Sequence, residues 1–168
     1  GNSRISNSIA YASPVMSGFQ GHAIYGFGEK VNKSFSDSAT DESFFGIGGS
    51  YGNGPVKVAA VYQVRLEDDA KASVNDGAKA WAVVGSYDFK VVKLHASYWR
   101  EKDERAAQEL TKKLWDIGVS APIGSAGNLS LEYSQFKISE VDQGKAKGLT
   151  LSYKHDLSKR TALYTTLT

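Results

Sequence analysis

Hydrophobic and polar residues alternate along most of the chain. In the stretch "VKLHASY", Val92, Leu94, Ala96 and Tyr98 fall on one side and Lys93, His95 and Ser97 on the other. A repeat of two is the periodicity of a strand, which sends successive side chains to opposite faces. Ten runs of this kind are rich in β-branched or aromatic residues. They are predicted at Ile5–Ser13, Phe19–Gly28, Ser43–Tyr51, Val56–Leu66, Ala78–Phe89, Val91–Lys102, Leu114–Pro122, Gly127–Ile138, Gly148–His155 and Arg160–Leu167. One segment, "DERAAQELTKKL" from Asp103, places Ala106, Leu110 and Leu114 four apart and predicts at most a short helix in a loop.

The connections alternate as well. "PVMSG", "GNGP", the step at Asp88–Lys90, "PIGSA" and "DLSK" are short, and the Asn53–Gly54 pair marks a hairpin turn. Between them fall longer polar connections at 29–42, 67–77, 103–113 and 139–147. In an up-and-down meander this order puts every short turn at one end and every long loop at the other. Greek-key sandwiches give no reason for such regularity. Outer-membrane barrels do, with short periplasmic turns and longer extracellular loops.

One face of the runs is apolar: Ile9 and Tyr11, Phe45 and Ile47, Val58 and Tyr62, Trp81 and Val83, Leu129 and Leu131, Leu149 and Leu151. Its aromatics gather near the run ends, Tyr11, Tyr51, Phe89 and Tyr153 beside short turns and Phe27, Trp81, Tyr98 and Trp115 towards the loops. Two aromatic bands around an aliphatic belt suit the two interfaces of a membrane. The opposite face carries Gln20 and His22, then Lys57, Gln63 and Arg65, then Lys93 and His95, and finally Asp116, Glu132 and Lys154. Charges recur there in mid-run, and burying them unpaired in a small core would cost several kcal/mol each. Two architectures accommodate this pattern. A transmembrane barrel turns the apolar face to lipid and encloses water. A water-soluble barrel turns it inward, closes over it and binds a small apolar ligand.

Composition narrows the choice a little. The 168 residues suffice for a single domain spanning 1–168, and no run approaches the length of a transmembrane helix. The 20 basic and 18 acidic residues leave a net charge of +2, which is no footprint for nucleic acid. There is no cysteine, which removes disulfides, thiolate metal sites and cysteine nucleophiles. Glycine is abundant at 17 and proline scarce at 3, as suits a sheet. The chain has no initiator methionine and ends inside a strand-like run, so it is expected to be incomplete at both ends.

Three stretches carry a family resemblance. "RISNSIAYASPVMSGFQGHAIYGFGE" at Arg4–Glu29 resembles the R-x-x-N-S-I-x-Y-x-S-P-x-F-x-G-F stretch of general porins from Gram-negative betaproteobacteria. "GSYDFKVVKLHASY" at Gly85–Tyr98 resembles their G-x-S-Y-x-F-G-V-x-K-L strand pair, and "LSKRTALYTTL" at Leu157–Leu167 their L-S-K-R-T-x-L-Y segment. The resemblance spans essentially the whole chain, with Met16 where the family usually has Phe. It implies an all-β, antiparallel, up-and-down transmembrane barrel of sixteen strands, of which this chain resembles strands six to fifteen. It further implies a homotrimer in the outer membrane, in contact with lipid bilayer and lipopolysaccharide, through which small hydrophilic solutes and ions diffuse. An inward-folded third loop narrows such pores, and the matching stretch is absent here.

The resemblance also assigns a first site residue. An arginine before N-S-I-x-Y lines the family's constriction and attracts anions, and Arg4 occupies that position. With Gln20, His22, Lys57, Gln63, Arg65, Lys93, His95, Asp116, Glu132 and Lys154 it makes the expected pore lining. Basic and acidic residues nearly balance on that face, so a weak anion preference is expected. His22 and His95 lie on runs separated by three strands, too far apart to share a zinc ion, and His155 sits at a turn. No metal and no cofactor is expected. The chain has no G-x-S-x-G, no H-E-x-x-H and no phosphate loop joined to a helix, and no enzymatic activity is expected. The loop carboxylates Asp41 and Glu42, or Glu67, Asp68 and Asp69, either hold Ca²⁺ or are solvated loop faces.

Overall fold

The computed structural model describes residues 7–28, 42–67, 77–103, 110–139 and 144–168. Ten strands follow one another: β1 (Ser8–Ala12), β2 (Phe19–Gly26), β3 (Glu42–Asn53), β4 (Val56–Glu67), β5 (Gly77–Asp88), β6 (Lys93–Asp103), β7 (Leu110–Ile123), β8 (Gly127–Ile138), β9 (Lys145–Ser158) and β10 (Thr161–Leu167). They form one sheet in the order β1 to β10, each strand antiparallel to the next. No pairing joins β1 to β10 among the described residues, so the sheet is open and these two strands are its edges.

The strands form where alternation predicts them, with one correction. Leu110–Leu114 belongs to β7 and pairs with β6, so the last part of the expected helical segment is strand. A spacing of four is also two repeats of two: Leu110 and Leu114 lie on one face of β7 as readily as on one face of a helix. The rest of that segment, 104–109, lies outside the described residues, as do most of the long connections.

Local chemistry explains the tight ends. Asn53 pairs with Val56, so the turn residues are Gly54 and Pro55 rather than the expected Asn53 and Gly54. Gly54 takes a φ of +54°, which a two-residue hairpin demands and glycine supplies without strain. Between β5 and β6, the Lys90 amide donates to Asp88 Oδ1 at 2.7 Å and the Phe89 amide to the Val92 carbonyl at 2.8 Å. Between β1 and β2, Gly18 at φ +88° sits against the neighbouring hairpin, where a Cβ would strike the Gly52 carbonyl. The five short turns therefore lie at one end of the sheet.

There is no enclosed hydrophobic core. Among the described apolar residues only Ala78 and Ala80 are buried, whereas Ile9, Ile47, Val83, Ile117 and Leu149 are exposed. A soluble barrel closed over its apolar face would bury these residues. The sheet does the reverse, and the fold that leaves a continuous apolar face open has that face towards lipid.

The concave polar face

Directly paired residues in an antiparallel sheet share a face, so the registers sort every strand position. Gly52, Lys57, Ser86, His95, Gly118, Glu132 and Thr150 form one row across β3 to β9. Gln20, Ser50, Ala59, Val84, Ser97, Asp116 and Ser134 form a neighbouring row on the same face. Lys93 pairs with Ser120, and Lys154 with Asn128, again on this face. His22 pairs with Gly48, Gln63 with Gly46 and Arg65 with Phe44. Ten of the eleven predicted site residues thus share one face, spread over its whole height rather than gathered in a ring. Arg4 lies outside the described residues. So do Asp41, Asp68 and Asp69, and the side chains of Glu42 and Glu67.

The face is concave. His95 on β6 reaches Glu132 on β8 across the whole of β7, with Nε2 3.3 Å from Oε2. Gly118 makes that reach possible. It sits in the row between them, and a Cβ there would collide with the imidazole. Ser97 Oγ donates a hydrogen bond to Asp116 on the next row. Nearer the loop end, Lys112 Nζ lies 2.9 Å from Glu101 Oε1, and nearer the turns Lys154 Nζ lies 2.8 Å from Asp156 Oδ1.

His95, Asp116 and Glu132 offer ligand atoms within 4.8 Å of one another, and among the described residues they are the group able to hold a metal ion. The sequence offers two other candidate sets, the pair His22 and His95 and the carboxylates of the long loops. The two histidines are apart as expected, on β2 and β6 with three strands between. A sequence signal for the cluster is Gly118, an isolated glycine inside an alternating run. His155 is not in a turn but within β9, on the apolar face, with its Nδ1 3.0 Å from the Tyr153 hydroxyl.

Two further features belong to this face. The polar face carries an apolar ribbon, in which Val61, Ala82, Trp99, Leu114 and Phe136 pair in series across β4 to β8. Where it meets β1 to β3, small residues including Ala12, Gly48 and Ala59 leave a groove of about 570 Å³. The described charges on this face nearly balance, as the sequence suggested, but with the acidic residues one ahead: Lys57, Arg65, Lys93, Lys112 and Lys154 face Asp88, Glu101, Asp103, Asp116, Glu132 and Asp156.

Most of the described aromatics lie on the convex face, in two bands. At the turn end Phe19 packs on Tyr51 and Tyr87 on Phe89, with ring centres 4.3 and 4.4 Å apart. At the loop end Trp81 packs on Tyr98 and Trp115 on Tyr133, at 5.0 and 5.4 Å.

A family model for Gram-negative porins matches residues 1–168. Outer membrane porin protein 32 of Delftia acidovorans is 33% identical over 165 residues, covering 96% of this chain and 45% of its own length. An outer membrane porin of Bordetella pertussis is 30% identical over 196 residues, with 96% and 51% covered. Among solved structures, an anion-selective porin from Comamonas acidovorans superposes with a TM-score of 0.79 at 29% identity, over 95% of this chain and 47% of that one. The chain therefore spans about half the length of the relatives it matches.

Proposed function

Because the chain belongs to the Gram-negative porin family, we propose that it forms part of the wall of a water-filled channel through the outer membrane of a Gram-negative bacterium. Small hydrophilic solutes and ions would cross it by passive diffusion, without catalysis. The observation that carries this reading is the sorting of the two faces: charged and hydroxyl side chains on the concave side, an aromatic-bounded apolar surface on the convex side. In lipid every backbone polar group needs a partner, so the edges β1 and β10 must be met by further strands of the same barrel. Sixteen strands in a homotrimer is the arrangement we infer from the resemblance.

Arg4, Gln20, His22, Lys57, Gln63, Arg65, Lys93, His95, Asp116, Glu132 and Lys154 are proposed as pore lining. With the described charges near balance, selectivity is weak, and Arg4 tips it towards anions. The anion-selective relative supports that sign. The test is the reversal potential of the protein in a planar bilayer under a salt gradient, compared with its Arg4→Gln variant. An anion-signed potential that Arg4→Gln moves towards zero supports the assignment. A cation-signed potential in the unsubstituted protein overturns it.

A further inference from the structure

The gap above Gly118 gathers more than one pair of side chains. Three donor atoms converge there from three adjacent strands: His95 Nε2 from β6, a carboxylate oxygen of Asp116 from β7 and one of Glu132 from β8. All lie within 4.8 Å of one another. His95, Gly118 and Glu132 are direct partners in one row, and Asp116 stands two residues along β7 on the same face. A Cβ at position 118 would fill the space that the imidazole crosses. The sequence alone predicts no metal, because only the registers bring these three strands' residues together.

The spacing suits a small ion. Two donors about 2.0–2.2 Å from a tetrahedral ion stand about 3.3–3.6 Å apart. His95 Nε2 and Glu132 Oε2 are 3.3 Å apart. An ion pair alone would give the same distance; the third donor makes the set more than a pair. The donor types select the ion. One imidazole nitrogen with two carboxylate oxygens suits Zn²⁺ or a neighbouring first-row divalent ion, whereas Ca²⁺ and Mg²⁺ take oxygen ligands in larger number. The two carboxylates match a divalent charge, and their described partners, the Ser97 hydroxyl and the ring, bring no fixed positive charge. The nearest basic positions on the face are Lys93, two residues along β6, and Lys57, two strands away in the same row. Among the described residues neither makes a hydrogen bond or ion pair with the set. All three donor residues are half-buried, which leaves room for water on the open side.

We propose that His95, Asp116 and Glu132 bind a divalent transition-metal ion of the Zn²⁺ kind on the concave face, with water completing its coordination. Ser97 is a positioning residue, its hydroxyl fixing the Asp116 carboxylate. Occupancy has a consequence for the channel. The described acidic residues of this face outnumber the basic by one. A bound divalent ion reverses the sign of that excess and raises the preference for anions. The consequence rests on the concave face lining the channel; the site itself does not.

The test uses the protein extracted from outer membranes, purified in detergent and stripped with a chelator. Zn²⁺ and, separately, Mg²⁺ are titrated into it by calorimetry, and into the variants H95Q, E132Q and S97A. The expected result is a Zn²⁺ site that Mg²⁺ does not occupy and that H95Q and E132Q each lose. S97A keeps it with an affinity lower by about 10–100-fold. Two separate ligand removals keep the test open if one variant does not fold. No Zn²⁺ uptake, or equal uptake in H95Q and E132Q, overturns the site. Equal uptake of Mg²⁺ overturns the nitrogen donor. In a planar bilayer under a salt gradient, Zn²⁺ should move the reversal potential further towards the anion sign, and H95Q should abolish that shift. A protein that takes up Zn²⁺ through His95 yet forms no channel leaves the site standing and overturns the reading of the concave face as a lumen.

Discussion

His95 shows how much a single residue depends on its neighbour's absence. Its imidazole bridges to Glu132 only because Gly118 leaves the space between them empty. Gly118→Ala should push the ring off its seat and destabilise the barrel by about 1–3 kcal/mol, as overpacking does. Removing the ring as well should recover most of that loss, because His95→Ala takes away the colliding atoms. Urea unfolding of the two single variants and the double variant measures the coupling; strictly additive losses would mean that the ring does not sit over Gly118. This contact was not legible in the sequence. Alternation assigns His95, Gly118 and Glu132 to one face, but which residues align across three strands depends on register, and register depends on how the intervening turns close. Trp99 was legible on the polar face, since the alternation through Lys93, His95 and Ser97 continues to it, but its alignment with Leu114 and Phe136 into a ribbon again depends on register. That the candidate residues share one face was legible, because a charge in the middle of an alternating run fixes the parity of the whole strand.

At the scale of the strand, the two faces should meet different solvents. Leu131 lies on the convex face and Ser130 beside it on the concave face, at the same height on β8. Leu131→Arg should cost about 2–4 kcal/mol in folding into vesicles, the penalty for arginine on a lipid face near the midplane, and Ser130→Arg much less. The comparison is read from equilibrium unfolding in lipid, and equal costs would remove the distinction between the faces. Strand positions were legible because a repeat of two extends over most of each run. Their ends were less so: β9 begins at Lys145, ahead of the expected Gly148, since lysines do not advertise a strand until a partner pairs with them. The Gly54–Pro55 turn makes a similar point. Asn-Gly is a strong local signal, yet the pairing of Asn53 with Val56 moves the turn one residue on. Gly54→Ala should lower stability and leave conductance unaltered, because only the positive φ is lost. Thermal unfolding beside single-channel recording separates the two.

At the scale of the whole molecule, the described sheet is a wall with two open edges, polar within its curve and apolar outside. Such a wall has no core of its own. Its stability comes from strand pairing, from lipid on one side, and from closure of the edges. The architecture was legible in the sequence because the alternation of short and long connections is a property of the meander, independent of any one contact. The most direct test is to reconstitute the protein, extracted from outer membranes, into a planar bilayer under a salt gradient. The account predicts large discrete conductance steps with a small reversal potential of anion sign. A protein that purifies without detergent and yields no conductance would contradict it, because the apolar face would then have to be covered by the protein itself.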